Sequence, residues 1–270
     1  MVKVSICIPT YKEADLLKKV LYSIQQQVFT DYEVIISDDT QDDVIKIVLT
    51  QFDFKDKLKY IQHSPSLGSP ANWNFALKEA KGKYIKIMHH DDYFTKPYSL
   101  SMFVSLLDKN PKALLAFSAT EIDLVQLKMK NLNRCSTKKL TELKQNPNLL
   151  FFSNIIGAPS ATIIRNDFEI FFDEKLKWLV DVDWYIQLIN KCNIVEYHPE
   201  PLICTIHGSE GQVTQQVILD RDIQIKEHIY LFKKIVQPHH SLSSFSLLFQ
   251  VLFNKFKINS FNELTAIVTI

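Results

Sequence analysis

The chain has 270 residues, 46% hydrophobic and 23% charged, with 31 Lys and Arg against 30 Asp and Glu for a formal charge of +1. That length suits one compound domain with a sizeable core, and the near-neutral balance gives no electrostatic footprint for nucleic acid. Four widely spaced cysteines (Cys7, Cys135, Cys192, Cys204) exclude a zinc ribbon or a dense disulfide framework, and no apolar run approaches the ~20 residues of a membrane span, so a cytoplasmic protein with reduced thiols is expected.

VKVSICI opens the chain as a β-branched buried strand, and ADLLKKVLYSIQQQ then puts Leu16, Leu17, Val20, Leu21 and Ile24 on one helical face. The alternation repeats. YEVIIS predicts a strand, QDDVIKIVLTQF a helix, LKYIQH a strand, PANWNFALKEAKG a helix with Ser69 as N-cap and Pro70 at its first position, and KYIKIM a fourth strand. Such alternation implies a mostly parallel sheet with helices on both faces and a ligand crevice beyond the carboxyl ends of the strands. The segments delivered to that edge are PTYKE (Pro9 to Glu13), SDDT (Ser37 to Thr40), HSPSLGSPANW (His63 to Trp73) and HHDD (His89 to Asp92).

KPYSLSMFVSLLDKNP predicts a helix ended by Pro111, and ALLAFSA a further buried strand. Residues 121–148, rich in Lys and Asn with weak periodicity, are expected to form a partly disordered excursion or flap. SATIIRN reads as a strand, DVDWYIQLINKC as an amphipathic helix, and IVEYHPEPLICTIHG as two strands about a turn at Pro199 to Pro201. From His239 onward Leu242, Phe245, Leu248, Phe249, Leu252, Phe253 and Phe256 recur at helical spacing. A helix docked on the body is the simpler expectation; the alternative is peripheral membrane contact, with Lys255 and Lys257 near lipid headgroups. The expected division is 1–118, 119–236 as a second half of the same compound domain, and a helical tail over 237–270.

A carboxylate at the end of a buried strand is costly unless it is paired, hydrogen-bonded or ligated to a cation. Asp38 and Asp39 end one strand and Asp91 and Asp92 another, so two acidic pairs face one crevice. Oxygen ligands of this kind suit Mg²⁺ or Mn²⁺ completed by substrate phosphates. Neither GxxxxGK[ST] nor GxGxxG is present, and Gly68 stands alone in SLGSP, so charge neutralisation by a metal replaces a backbone phosphate cradle.

VSICIPTYKEADLLKKVLYSIQQQVFTDYEVIISDDT and SLGSPANWNFALKEAKGKYIKIMHHDDYF together resemble the nucleotide-sugar-binding half of the family 2 glycosyltransferases. WLVDVDWYIQL and PLICTIHGSEGQVT resemble their second half more loosely. The resemblance implies an α/β fold of the Rossmann-like GT-A type, a mostly parallel central sheet flanked by helices with a mixed α+β acceptor-side half, to which the spacing after His239 adds a C-terminal helical tail. The resemblance also implies inverting transfer of a sugar from a nucleotide diphosphate-sugar, of UDP type, to an acceptor hydroxyl. The acceptor would be a saccharide or lipid-linked saccharide in bacterial surface polysaccharide synthesis, met at the inner face of the membrane if the tail contacts it.

Carried over by motif, the resemblance puts Pro9, Thr10, Tyr11, Glu13, Asp38, Asp39, Gly68, Asn72 and Asp91 around the nucleotide-sugar. Asp39 falls at the nucleobase position, and Asp92, Asp91 and His207 at the metal. Asp181 in VDVDWY falls at the acid–base position, where it would take the acceptor proton; the bland reading is a helix cap. Asp183, two residues on, points away. Three departures stand out: Lys12 replaces an asparagine, Thr40 a glycine, and His89 the first aspartate of DxD. GAPSA (Gly157 to Ala161) and WLVD are expected to shape the sugar and acceptor pockets. The rivals are a degenerate nucleotide-sugar-binding partner subunit and an HD-type metal phosphohydrolase suggested by HHDD; the latter would want its motif on helices.

Overall fold

In the computed structural model, residues 2–166, 169–208, 220–235, 251–258, 260, 262–263 and 266–267 are described. Strands β1 (Val4–Thr10), β2 (Tyr32–Asp38), β3 (Leu58–Gln62) and β4 (Tyr84–Ile87) alternate with helices α1 (Ala14–Gln25), α2 (Val44–Leu49) and α3 (Ala71–Lys78). β5 (Asp92–Phe94), α4 (Ser99–Lys109), β6 (Leu115–Leu124), β7 (Met129–Asn133) and α5 (Thr137–Gln145) follow. β8 (Thr162–Arg165), α6 (Val180–Cys192), β9 (Val195–His207) and α7 (Arg221–Ile235) come after them.

A nine-stranded sheet runs in the order β3-β2-β1-β4-β8-β6-β9-β5, with β7 paired to β6. The first four strands are parallel, as the βα alternation demands, and β1 and β2 are buried along nearly their whole length. β8 inserts antiparallel between β4 and β6, while β9 runs parallel to β6 and carries β5 at the edge. Two apolar clusters sandwich the sheet. One joins α1, α2 and α4 to its first face; the other is built on Trp184, Tyr185 and Phe117 under α6 and α7. β6 spans the expected boundary at 118/119, so both halves share one sheet.

Three sequence expectations are corrected. Residues 121–148 are ordered as the end of β6, the hairpin strand β7 and helix α5, the last capped by Ser136, whose side chain accepts the Lys139 N–H. β7 is a short edge strand carrying Lys130, and short length and an edge lysine are among the devices that keep an edge from pairing with another chain. The two strands around Pro199 to Pro201 are one strand, β9, with a bulge: Ser118 opposes His198 and Ala119 opposes Pro201, so the intervening residues loop out where proline is tolerated. α3 begins at Ala71 with Pro70 in the cap position, and its first turn is satisfied by the Gly68 carbonyl, which accepts the Asn72 N–H at 2.9 Å, rather than by Ser69.

Among the described residues no helix is long and apolar enough to cross a membrane. Of the tail, Leu242, Phe245, Leu248 and Phe249 lie outside the described residues. Leu252 and Phe256 are buried in the core, and Phe253 packs against it. All four cysteines are free.

Candidate active site

The carboxyl ends of β1 and β4, with β6 and the end of β9, open into a cavity of about 500 Å³. Pro9, Tyr11, His89, His90 and Asp91 line it together with Asn154, the Gly157 to Pro159 turn and the Lys177 to Val182 segment. Of the segments expected at the site, PTYKE, HHDD, GAPSA and WLVD contribute lining residues, whereas Asp38, Asp39, Gly68 and Asn72 do not. A larger cleft of about 640 Å³ between α1 and β5 carries Lys18, Lys19 and Lys96 but no acidic or histidine group, so it brings no comparable chemistry.

Of the predicted metal group, Asp91 and Asp92 lie with His89, not His207, so that one possible ligand atom from each falls within 4.8 Å of the others. His207 ends β9 on the wall of the same cavity. Asp92 starts β5 and is only 3% exposed; the Ser160 hydroxyl and the backbone of Ile206 hydrogen-bond its carboxylate. Burial, reinforced by Asp91, holds this carboxyl well above the usual carboxylate range. Below it Lys86 is fully buried, its ammonium donating to the carbonyls of Ile87 (3.0 Å) and Ser160 and lying over the Phe103 ring. Burial drives Lys86 far down, opposed by the charge of Asp92.

The residues present fit a divalent cation. Nε2 of His89 is buried and has no hydrogen-bond partner among the described residues, beside two carboxylates that a cation would satisfy. Burial lowers His89 to about 4, which leaves the imidazole neutral and its lone pair available. The His89 N–H donates to Ser160 Oγ at 2.9 Å, so Ser160 ties the peptide of one potential ligand to the carboxylate of another. The motif follows a strand, not a helix, as the HD-type alternative would need.

Asp181, another lining residue, stands in the first turn of α6, whose N-terminus favours negative charge. Its carboxylate accepts the Val182 N–H and the Asn154 side-chain amide, both at 2.8 Å. Asn154 is itself fixed by the N–H groups of Ile156 and Gly157. Burial pushes Asp181 up to about 7, with the charge of Glu227 adding to the rise and the hydrogen bonds opposing it. Asp183 points elsewhere, as expected, pairing with Lys234 at 2.8 Å.

On the nucleotide side the structure separates residues that the motif groups together. Tyr11 is 47% exposed at the cavity mouth, whereas Thr10 is buried with its hydroxyl unpartnered among the described residues. Glu13 precedes α1 outside the cavity wall. Asp38 is fully buried and holds Thr40 N–H and Tyr60 OH, each at 2.8 Å; Asp39 accepts the N–H groups of Leu67 (3.0 Å) and Gly68 (2.8 Å). Gly68 has φ +76°, which suits glycine. Asn72 is buried and braces the ends of β1 and β2 through the carbonyls of Thr10 and Ser37.

The threonine at position 40 makes a contact that glycine could not; nothing in the structure explains the lysine at position 12. The Thr40 hydroxyl accepts the Lys12 N–H at 2.7 Å, and Lys12 sits at φ 63° in the left-handed region. Asparagine tolerates that region better than lysine does. Lys12→Asn is therefore expected to raise Tm by about 2–3 °C in a thermal melt, with the Thr40 tie intact because it uses the backbone. A lowered Tm would show that the lysine side chain contributes more than the backbone strain costs.

Sequence reading missed Lys86, Asn154 and Glu227, and took Ser160 only as part of GAPSA, without its ties to His89 and Asp92. Lys86 had a usable signal, a charge in the middle of a buried apolar run; the others lie far from the motifs they serve.

The sequence profile described as Glycosyl transferase family 2 matches residues 5–169. The chain is 27% identical over 249 residues to the protein MT1568 of Mycobacterium tuberculosis, covering 87% of this chain and 76% of that one. To the poly(ribitol-phosphate) β-N-acetylglucosaminyltransferase TarS of Staphylococcus aureus it is 28% identical over 186 residues, covering 66% of this chain but 30% of TarS. The structure of TarS 1–349 with UDP-GlcNAc superposes with a TM-score of 0.68 at 19% identity, covering 95% of this chain and 73% of that one. The mannosyltransferase PcManGT of Pyrobaculum calidifontis, solved with GDP-Man and Mn²⁺, gives 0.61 at 13% identity over 99% and 73%. These likenesses agree with the α/β GT-A architecture, and with the profile covering more than half of the sequence, the chain belongs to glycosyl transferase family 2.

Proposed function

We propose that this glycosyltransferase works with inversion, moving a sugar from a UDP-type nucleotide diphosphate-sugar to a hydroxyl of a saccharide or lipid-linked saccharide acceptor in surface polysaccharide synthesis. One observation carries the reading: His89 and Asp91, which form a cluster with buried Asp92, line the same cavity as Asp181, a carboxyl raised to about 7. The donor class is supported by TarS, seen with UDP-GlcNAc, and the acceptor class by the polymer in its name.

Asp91, Asp92 and His89 would hold Mn²⁺ or Mg²⁺, and the imidazole nitrogen favours Mn²⁺ of the two. When bound, the ion supplies the positive charge that a departing diphosphate needs. Tyr11 and Pro9 border the nucleotide, with Asp39 and Asn72 holding the loops beneath it. Asp181 accepts the proton of the acceptor hydroxyl as that oxygen attacks the anomeric carbon from the side opposite the leaving diphosphate. A base with this pKa is charged above neutral pH and protonated below, so transfer falls as pH drops through about 7.

Titration calorimetry with a panel of UDP- and GDP-sugars tests the reading. A UDP-sugar is expected to bind with Mn²⁺ present and to lose at least about tenfold in affinity when EDTA removes it. If no nucleotide-sugar binds with either Mn²⁺ or Mg²⁺, the donor reading fails. Metal-dependent binding without turnover on any acceptor would favour the degenerate partner subunit.

A further inference from the structure

Helix α7 sends one carboxylate away from solvent and onto the wall of the active-site cavity. Glu227 is 6% exposed, and its two oxygens accept three consecutive backbone N–H groups: Lys177 at 2.7 Å, Trp178 at 2.8 Å and Leu179 at 2.9 Å. Those residues line the cavity and lead into α6, at whose second residue Asp181 stands. Leu179, at the cap position, provides no side-chain hydrogen bond, so a donor-rich helix start is fixed by a carboxylate from another helix. A second tie lies one turn along α6, where Lys234 of α7 bridges Asp183 and Asp173, each at 2.8 Å.

We propose that Glu227 is a positioning residue for the transfer reaction: its buried carboxylate clamps the 177–179 backbone and so sets where Asp181 meets the acceptor hydroxyl. This rests on the reading of Asp181 as the base. Burying a carboxylate is costly, and water could satisfy the three amides if the loop were left open to solvent. The arrangement makes physical sense as a device for precision, since a displacement of about 1 Å at a reacting group costs about 100-fold in rate.

The clamp also leaves an electrostatic mark. Around Asp181 the titratable and charged groups are Glu227 from α7, Tyr185 one turn along α6, which also feels Asp92, Lys177 on the clamped loop and Lys255, with His89, His90, Asp91 and His207 also lining the cavity. Glu227 is the anion whose charge adds to the raised position of the Asp181 carboxyl. Removing that charge should let Asp181 ionise at lower pH.

The test compares Glu227→Gln, Glu227→Asp and Asp181→Asn in the full chain. Glu227→Gln keeps the shape but removes the charge and one acceptor. It is expected to lower kcat by about 10- to 100-fold, leave KM for the nucleotide-sugar within about twofold, and move the acid limb of the pH–rate profile to lower pH. Glu227→Asp, which keeps the charge but shortens the reach, should lower kcat with the limb unmoved. In the wild type, hydrogen exchange should find the amides of residues 177–179 protected.

Wild-type kcat and limb in Glu227→Gln would overturn the proposal. So would kcat, donor affinity and Tm falling together with the limb fixed, which is what a merely structural role gives. If Glu227→Gln does not fold, exchange of the 177–179 amides at the rate of open loops overturns it without any variant. Full activity in Asp181→Asn would instead sink the base assignment, while the exchange data still report on the clamp.

Discussion

Asp181→Asn is expected to lower transfer by about 10³-fold, the middle of the range for removing a general base, with nucleotide-sugar affinity and fold intact. The substitution is nearly isosteric, and the carboxylate it replaces makes two hydrogen bonds, from Val182 N–H and the Asn154 amide. An asparagine can accept only one of them without placing two donors face to face, because Asn154 is held by Ile156 and Gly157 and cannot turn over. A small loss of Tm should therefore accompany the loss of rate. Wild-type kcat/KM should show an acid limb near pH 7, since the base works only when ionised and its carboxyl is raised to about 7. A variant keeping more than about a tenth of the rate would mean that another group takes the proton.

Asp92→Asn should be nearly as damaging, for a different reason. Loss of a carboxylate that holds the cation is expected to reduce transfer by about 10³-fold, equivalent to about 4 kcal/mol of transition-state stabilisation, and to abolish the metal dependence of nucleotide-sugar binding. Stability should fall as well, because the Asp92 carboxyl is the group that opposes the desolvation of buried Lys86. The double variant Lys86→Met/Asp92→Asn separates the two effects: most of the stability should return while metal-dependent binding stays lost. Calorimetric Mn²⁺ binding and denaturant melts on the three proteins decide it. Recovery of Mn²⁺ binding in the double variant would show that Asp92 balances Lys86 and does not hold the ion.

Local pattern revealed a good deal of this architecture. The β1–α1–β2–α2–β3–α3–β4 run follows from β-branched stretches alternating with helical periodicity, and parallel pairing then forces the acidic segments to one edge. Distance in sequence hid the rest. Glu227 reads as one charge among many on an amphipathic helix, and its three backbone contacts lie about fifty residues upstream. Ser160 is an ordinary serine until β8 carries its neighbourhood beside β4 and next to His89 and Asp92. The metal group was half legible: the aspartates follow from strand-end chemistry, but whether His89 or His207 joins them depends on backbone geometry after β4. β7 and α5 escaped because their polar composition mimics a loop, and β9 because two prolines look like a turn when a bulge absorbs them.

The place of β8 in the sheet bears on how the protein is made. Its partner strands β4 and β6 are both complete by residue 124, yet the strand that joins them begins only at Thr162. On the ribosome β4 therefore emerges with one flank unzipped and waits for residue 165, about 4–16 s at about 5–20 residues per second. During that interval a fully buried strand of the finished enzyme is an apolar ribbon open to any passing nascent chain. Lys86 stands in the middle of that ribbon. Still in water, its charge would work against such pairing before burial drives the group down.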